Sequence, residues 1–341
     1  MIRLGAFCTI FALMALWETA APRRPLSIAK PLRWTSNILL VVLNTALLRV
    51  AMPTTAVGLA LFAEQHGWGL LHRFVLTEYL TVPVTIVAFD CAIYLQHVMF
   101  HAVPVLWRLH RVHHADLDFD VTTGSRFHPV EIFLSTLVKF AVVVVLGPPA
   151  VGVLMFEVLL NATAMFNHSN VRMPAQLDHL LRLLVVTPDM HRVHHSIDEQ
   201  ETNSNFGFNL SWWDRLLGTY RGQPAAGHDN MILGIHSFRD PGQVDRLPGM
   251  LVLPFIGAVT DYTIDRRRGA ARNAPQGNMP RCYAAVCSCF CSAVSAGWQY
   301  IAANSTAIRC SDGCEDLARR ARSPSWCSTA SRRSCSSPER P

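Results

Sequence analysis

Residues 97–114, HVMFHAVPVLWRLHRVHH, set five histidines within eighteen positions. These are His97, His101, His110, His113 and His114, and the last three form an H-x-x-H-H group that returns as His191, His194 and His195 in HRVHHS. Residues three and four apart share one face of a helix, so each group lines three imidazoles along a stripe that can address two metal ions at once. Neutral imidazole binds borderline metals near pH 7 and is oriented through its remaining ring nitrogen. A single histidine on an apolar face is ordinarily a satisfied core residue. Eight of them in three spaced groups have too few partners for that, so the pattern reads as a metal site. Such a site obliges segments far apart in the chain to converge.

Composition fixes the surroundings of that convergence. Half of the 341 residues are hydrophobic, only 16% are charged, and the mean hydropathy is positive, which points to a membrane protein. The net charge of +6 is weak evidence for a nucleic-acid partner, because the excess lies in arginine-rich stretches beside apolar segments and in the C-terminal tail. Anionic lipid headgroups suit it better. Eight of the ten cysteines fall in the last sixty residues, leaving only Cys8 and Cys91 in the body. Nothing suggests a disulfide framework around the histidines.

An all-α integral membrane protein is expected, with about four transmembrane or re-entrant helices, a helical histidine-cage cap on the cytosolic side and a disordered C-terminal tail. Leu4 to Trp17 reads as a first membrane segment, since no small-x-small cleavage site supports a signal peptide. The linker after it carries Arg23, Arg24, Lys30 and Arg33, a basic run assigned to the cytoplasm by the positive-inside rule. Asn37 to Phe62 contains Arg49 and Pro53 and is expected to kink. His66 and His72 follow at the end opposite the clusters and read as interfacial. Val75 to Leu95 is long enough to span and returns the chain to the side where His97 begins. Ile132 to Phe166, broken at Gly147-Pro148-Pro149, reads as a membrane hairpin with both ends on one side, which brings His168 and the second triplet back to the first. The expected division is residues 1–95 as N-terminal helices, 96–250 as a histidine-box catalytic region that includes the hairpin 132–166, and 251–341 as a C-terminal segment and tail.

Asp90 lies two helical turns before His97 on the same face and is a candidate outer-shell carboxylate for an imidazole N–H. Asp189 is a candidate cap for the helix carrying the second triplet, with Pro188 marking the break before it. Asp116, Asp118 and Asp120 alternate as in a calcium loop, but the glycine and distal glutamate are missing and a solvated loop is the expectation. Trp212 and Trp213 suit a membrane-interface belt, a lid over the site, or core packing. From about residue 270 the Arg/Ser/Cys-rich tail is expected to be disordered. Cys287, Cys289 and Cys291 within it fit neither iron–sulfur nor zinc-ribbon spacing.

No H-E-x-x-H, G-x-S-x-G or phosphate-loop motif is present. The array H-x-x-x-H, H-x-x-H-H, N-H-S-N, H-x-x-H-H, together with DVTTGSRFHPVE, TPDMHRVHHS, ETNSNFGFNLSWWDRLLGTY and GIHSFRD, resembles the bacterial branch of the fatty acid hydroxylase superfamily, or sterol desaturase family. The resemblance runs from residue 1 to about 250. It implies an inner-membrane enzyme with a cytosol-facing cage of two iron ions, using O2 and two electrons to hydroxylate or desaturate an acyl, sterol or related lipid. Zinc would replace iron readily in purified samples. The family's boxes fall on His97 and His101, on His110, His113 and His114, and on His191, His194 and His195, with His168 as the isolated histidine. Some members carry a further histidine where this chain has Ala164, so water held by Asn167, or His128, is a candidate replacement ligand. With no haem, flavin or iron–sulfur motif visible, a separate ferredoxin or cytochrome b5-like electron donor is implied. Desaturation and ether-lipid cleavage stay open beside hydroxylation, as does a non-catalytic membrane metal-binding or transport protein.

Overall fold

Prolines set where many of the helices begin. The ring fixes φ and costs no hydrogen bond in a first helical turn, and Pro31, Pro104, Pro129 and Pro188 each sit there. The computed structural model describes residues 2–257, which fall within one compact unit, Met1–Trp298. The arginine run at 266–268, the tail from 270 and its alternating cysteines lie outside the described residues.

The long helices are α1 (Ile2–Ala20), α2 (Lys30–Ala51), α3 (Ala56–Gln65), α4 (Glu78–Ala102), α5 (Pro104–His114), α6 (Pro129–Leu146) and α7 (Ala150–Asn167). Shorter ones follow: α8 (Ala175–Leu181), α9 (Pro188–His194), α10 (Glu199–Thr202) and α11 (Trp212–Leu216). Only isolated β-bridges occur among the described residues. Five segments are long and apolar enough to cross a membrane: Ile2–Ala20, Lys30–Arg73, Glu78–Ala102, Pro129–Leu146 and Ala150–Asn167. The second breaks where expected, at Met52–Thr55 around Pro53, and Thr55 restarts it as α3 by accepting the Gly58 N–H. The third is longer than expected: α4 runs unbroken through residue 95, so His97 and His101 stand on the same helix as the span.

At the end away from the histidines, α6 and α7 turn at Gly147, where φ is +62°. The loop after α3 crosses this turn at Gly69, also at positive φ. A Cβ on Gly69 would lie 2.2 Å from the Gly147 nitrogen, so both the left-handed backbone and the close approach require glycine. His66 and His72 belong to this end. His66 is exposed and stacks on Phe62 at 4.0 Å, in keeping with an interfacial place.

The 115–131 loop departs from expectation. Instead of a solvated loop, Asp116, Asp118 and Asp120 are all buried. Arg33, expected in a basic run on the cytoplasmic side, is buried with them and grips Asp116 with two bonds of 3.0 and 2.8 Å while also reaching Asp120. Arg126 continues the network to the Val112 carbonyl and to Asp245, each at 2.9 Å. Burial alone would raise the Asp116 carboxyl, but Arg33 and Arg126 hold it below the ordinary carboxylate range. Asp118 takes the backbone N–H groups of Ser27 and Ile28 at 2.9 and 2.7 Å, and Glu18 takes those of Val121 and Asn170, both at 2.7 Å. Buried charges are tolerable only when paired and hydrogen-bonded. Here these contacts tie the end of α1, the linker after it and the start of α2 to the loop between α5 and α6.

Removing one partner of a buried pair costs about 3–5 kcal/mol because the other charge is left uncompensated. Arg33→Met is therefore expected to lower unfolding stability in detergent by about that amount, and Arg33→Lys by less. A thermal or denaturant melt in which Arg33→Met matches the parent would refute the role given to this guanidinium.

Candidate metal centre

Four elements deliver the histidines. His97 and His101 come from the last turns of α4, and His110, His113 and His114 from α5. His168 caps the C-terminus of α7. His191 and His194 lie on α9, and His195 at its end. All nine are buried. They form two adjoining groups: His97, His101, His110, His114 and His194 in one, His113, His168, His191 and His195 in the other, the ligand nitrogens within each lying within 4.8 Å of one another.

Helical arithmetic decides which imidazole joins which group. At 100° per residue, positions i and i+4 are about 40° apart, whereas i+3 falls about 60° to the other side. Thus His110 and His114 point into the first group and His113 into the second. On α9 the same rule pairs His191 with His195 in the second group and sends His194 to the first.

Protonation shows what the groups are suited to hold. The Nδ1 atoms of His97, His110 and His194 lie 2.8 Å from the Phe206 carbonyl, 2.6 Å from a Glu131 carboxylate oxygen and 2.7 Å from the Ser204 carbonyl. The two carbonyls can only accept, so His97 and His194 carry their proton on Nδ1 and leave Nε2 bare in the neutral ring. His97 Nε2 nevertheless faces the Nε2 atoms of both His110 and His194 at 3.0 Å. In the second group His168 alone has its Nδ1 committed, the Nδ1 atoms of His113 and His191 having no hydrogen-bond partner. His168 Nδ1 donates to the Ala164 carbonyl at 2.7 Å, while its Nε2 faces those of His191 at 3.0 Å and His113 at 3.1 Å. Two lone pairs that close repel unless a cation lies between them. Nitrogens bonded to an ion at about 2.1 Å and at right angles to each other are about 3.0 Å apart, so the donor set fits a metal ion in each group.

Burial also keeps these rings neutral. It pushes His110 and His168 down to about 3, and with neighbouring imidazoles it lowers His113, His114, His191, His194 and His195 well below the ordinary histidine value. The lone pairs are therefore available at neutral pH. Aromatic rings wall the groups: Phe127 stacks on His113 at 4.5 Å, Trp107 lies 4.8 Å from His101, and Phe119 lies 5.1 Å from His195.

Several supporting residues differ from the sequence reading. Asp90 meets no imidazole. It accepts from the backbone N–H groups of Asn209 and Leu210 at 3.2 and 3.1 Å and from Trp213 Nε1 at 2.8 Å, and so anchors the 209–213 segment to α4. The carboxylate that does meet a ring is Glu131, in the first turn of α6. The sequence signal for it is an acid at the head of an apolar helix, directly after His128-Pro129-Val130. The cap of α9 is Thr187, which accepts the Met190 N–H, rather than Asp189. Asp189 pairs with Arg192 and, at 3.5 Å, with Arg23. Asn167 donates to the Phe208 carbonyl at 2.9 Å. His128 stands outside both groups, where its Nδ1 accepts the Val130 N–H and caps α6.

The motif SNFGFNLSWWD is explained by the same geometry. Asn205 adopts a left-handed φ of +52° and is held by bonds to the Met190 and Arg221 carbonyls at 2.9 and 2.8 Å. Asp214 takes the N–H groups of Phe206 and Gly207 at 2.7 and 2.9 Å. Together they fix the Ser204 and Phe206 carbonyls that orient His194 and His97. Neither residue was legible as a positioning group from spacing alone.

Residues 82–219 match the fatty acid hydroxylase family model. Ornithine lipid hydroxylase OlsE of Rhizobium tropici is 34% identical over 148 residues, which cover 42% of each chain. Alkylglycerol monooxygenase of Homo sapiens is 28% identical over 149 residues, 43% of this chain and 31% of that one. Delta(7)-sterol 5(6)-desaturase of Candida glabrata is 30% identical over 159 residues, 46% of this chain and 39% of that one. The chain spans less than half the length of these three relatives. No solved structure matches it. The matched region encloses both histidine groups, so the similarity to the fatty acid hydroxylase family rests on the part of the chain that carries them.

Proposed function

We propose that the protein is a membrane-bound, O2-dependent lipid hydroxylase in which His97, His101, His110, His114 and His194 hold one iron ion and His113, His168, His191 and His195 hold a second. The observation that carries this reading is the approach of Nε2 atoms to 3.0–3.1 Å within both groups, with the facing His97 and His194 nitrogens both bare. An unactivated C–H bond is beyond acid–base catalysis, and a bound iron pair supplies the oxygen activation such a bond requires.

The chain's own residues supply the rest. Carbonyls of Ser204, Phe206 and Ala164 keep the Nδ1 protons in place and aim the opposite nitrogens inward. Glu131 sets one anionic partner beside an otherwise neutral donor set, which strengthens His110 as a ligand. Trp107, Phe119, Phe127 and Phe206 keep water out. The substrate is a lipid that enters laterally from the bilayer, and the electrons come from a separate ferredoxin or cytochrome b5-like protein. Desaturation and ether cleavage begin at the same kind of C–H bond, and the sterol desaturase and alkylglycerol monooxygenase relatives keep both as variants of this reading. The protein belongs to a bacterial inner membrane with the histidines facing the cytoplasm. In support, Arg23 and Arg24 bond to Asp189, Asp229, Asn170 and the His228 carbonyl, all on the histidine side, where the positive-inside rule wants them.

Three outcomes test the proposal. Full-length protein loaded anaerobically with ferrous iron should carry two irons per chain by mass spectrometry, and cells expressing it should gain a lipid labelled from 18O2. Unlabelled lipid in cells whose protein holds its iron would leave a non-catalytic metal binder. His113→Ala should abolish the labelled product while the protein still reaches the membrane, and an undiminished product would remove the assignment. Glu131→Gln keeps an acceptor for His110 but removes its charge. It should weaken metal affinity by about 10–100-fold, measured by competition with a chelator, and unaltered affinity would show Glu131 to be a packing residue.

A further inference from the structure

The part of the cap that carries Trp212 and Trp213 reaches below the metal ligands. Asp90 precedes His97 by seven residues, or about 10 Å along α4 toward the opposite end, and it holds Asn209, Leu210 and Trp213. Asn209 also meets Thr163 on α7, one turn inward from Asn167. Both contacts lie within candidate membrane spans. Segment 184–186 travels with them. Val185 bridges Leu210, Val186 N–H bonds to the Asn209 carbonyl at 3.0 Å, and Ser211 N–H bonds to the Leu184 carbonyl at 3.2 Å.

On the outside of this paired segment stand Leu180, Leu183, Leu184, Trp212 and Leu216, exposed by 63, 62, 52, 46 and 73%. None of them belongs to a spanning helix. A contiguous apolar surface of this kind marks contact with something apolar. The polar atoms beneath it are already used: Trp212 Nε1 donates to the Leu183 carbonyl at 2.9 Å, and the Arg182 carbonyl accepts from Ser211 Oγ at 2.7 Å and Arg215 at 2.9 Å. Irregular backbone at membrane depth is tolerated when its N–H and C=O groups are satisfied within the protein. Arg172, eight residues before the first stretch, and Arg215, between Trp212 and Leu216 in the second, are both exposed. Such a side chain keeps its charge at the headgroups while its stem lies on apolar surface.

We propose that residues 180–184 and 212–216 form a non-spanning wedge seated among the acyl chains of the leaflet on the metal-centre side, beside α4 and α7. The occupant of the apolar face is lipid, because the face continues the depth of the two helices to which it is bonded. The wedge therefore brings acyl chains alongside the segment that fixes the orientation of His97 and His194. This placement does not depend on the reaction proposed above.

The test uses the full chain in phospholipid nanodiscs, with p-benzoyl-phenylalanine replacing Leu184, Leu216 or, as an exposed polar reference on α10, Gln200. After irradiation, mass spectrometry should find several-fold more phospholipid adduct at 184 and 216 than at 200. Equal yields, or crosslinks to a second copy of the chain in place of lipid, would overturn the wedge. Metal content reports whether each variant retains the histidine centre. If the Leu184 variant loses it, Leu216 decides alone. Failure of the lipid crosslinks with normal 18O2 labelling would leave the proposed reaction standing, and the converse result would leave the wedge.

Discussion

The interaction on which the structure depends is one that nitrogen atoms do not make unaided. His97, His194 and His168 each commit their proton to a carbonyl on the outer side and turn a bare lone pair toward other nitrogens about 3 Å away. Between His97 and His194 this packing is repulsive without a cation, and burial in a low-dielectric wall makes it worse. The ligands therefore contribute binding energy only after the rest of the fold has assembled them. That accounts for how much of the cap consists of buried polar bonds rather than of a large apolar core.

Those bonds form two sets with different tasks. Arg33, Asp116, Asp118, Asp120, Arg126 and Asp245 fasten the α1–α2 linker, the α5–α6 loop and the later cap to one another. They touch no histidine directly, yet they fix where α5 can sit. Asp90, Asn205 and Asp214 hold the 204–213 segment, whose carbonyls aim two rings. One set places helices and the other places nitrogens, so loss of the first shows as unfolding and loss of the second as misaligned ligands.

The histidines were legible in the sequence because their types and spacing already carry the chemistry and the helical geometry. The membrane segments were legible for a similar reason, since long apolar runs and prolines are local signals. What could not be read were groups whose meaning depends on a distant partner. Arg33 in a basic run looks like a surface cation until Asp116 and Asp120, more than eighty positions away, are brought to it. The same holds for the aspartates, which look like a hydrated loop without Arg33. Asp90 and Glu131 exchanged their expected importance because the acid one heptad from His97 met backbone N–H groups. The acid that met an imidazole lay in a stretch grouped as loop. His128, plausible by residue type, was claimed by the local need to cap α6.

The unequal size of the two groups follows from how the helices contribute. Each H-x-x-H-H stripe gives an i, i+4 pair to one group and its odd member to the other, and the two stripes do so in opposite senses: α5 gives two to the first group and one to the second, α9 the reverse. Three ligands each would result. α4 adds an i, i+4 pair to the first, His97 and His101, making five. The matching pair on α7 would be residues 164 and 168, but the chain has Ala164 there, and that helix adds His168 alone. Four nitrogens against five thus follows from Ala164 standing one turn before His168, where α4 has a second histidine one turn from the first. His128 is committed to the start of α6, and Asn167 spends its amide N–H on the Phe208 carbonyl while its buried Oδ1 has no partner. The asymmetry is therefore a property of the donor set itself, and it makes the second group the one that offers fewer protein nitrogens to whatever else binds there.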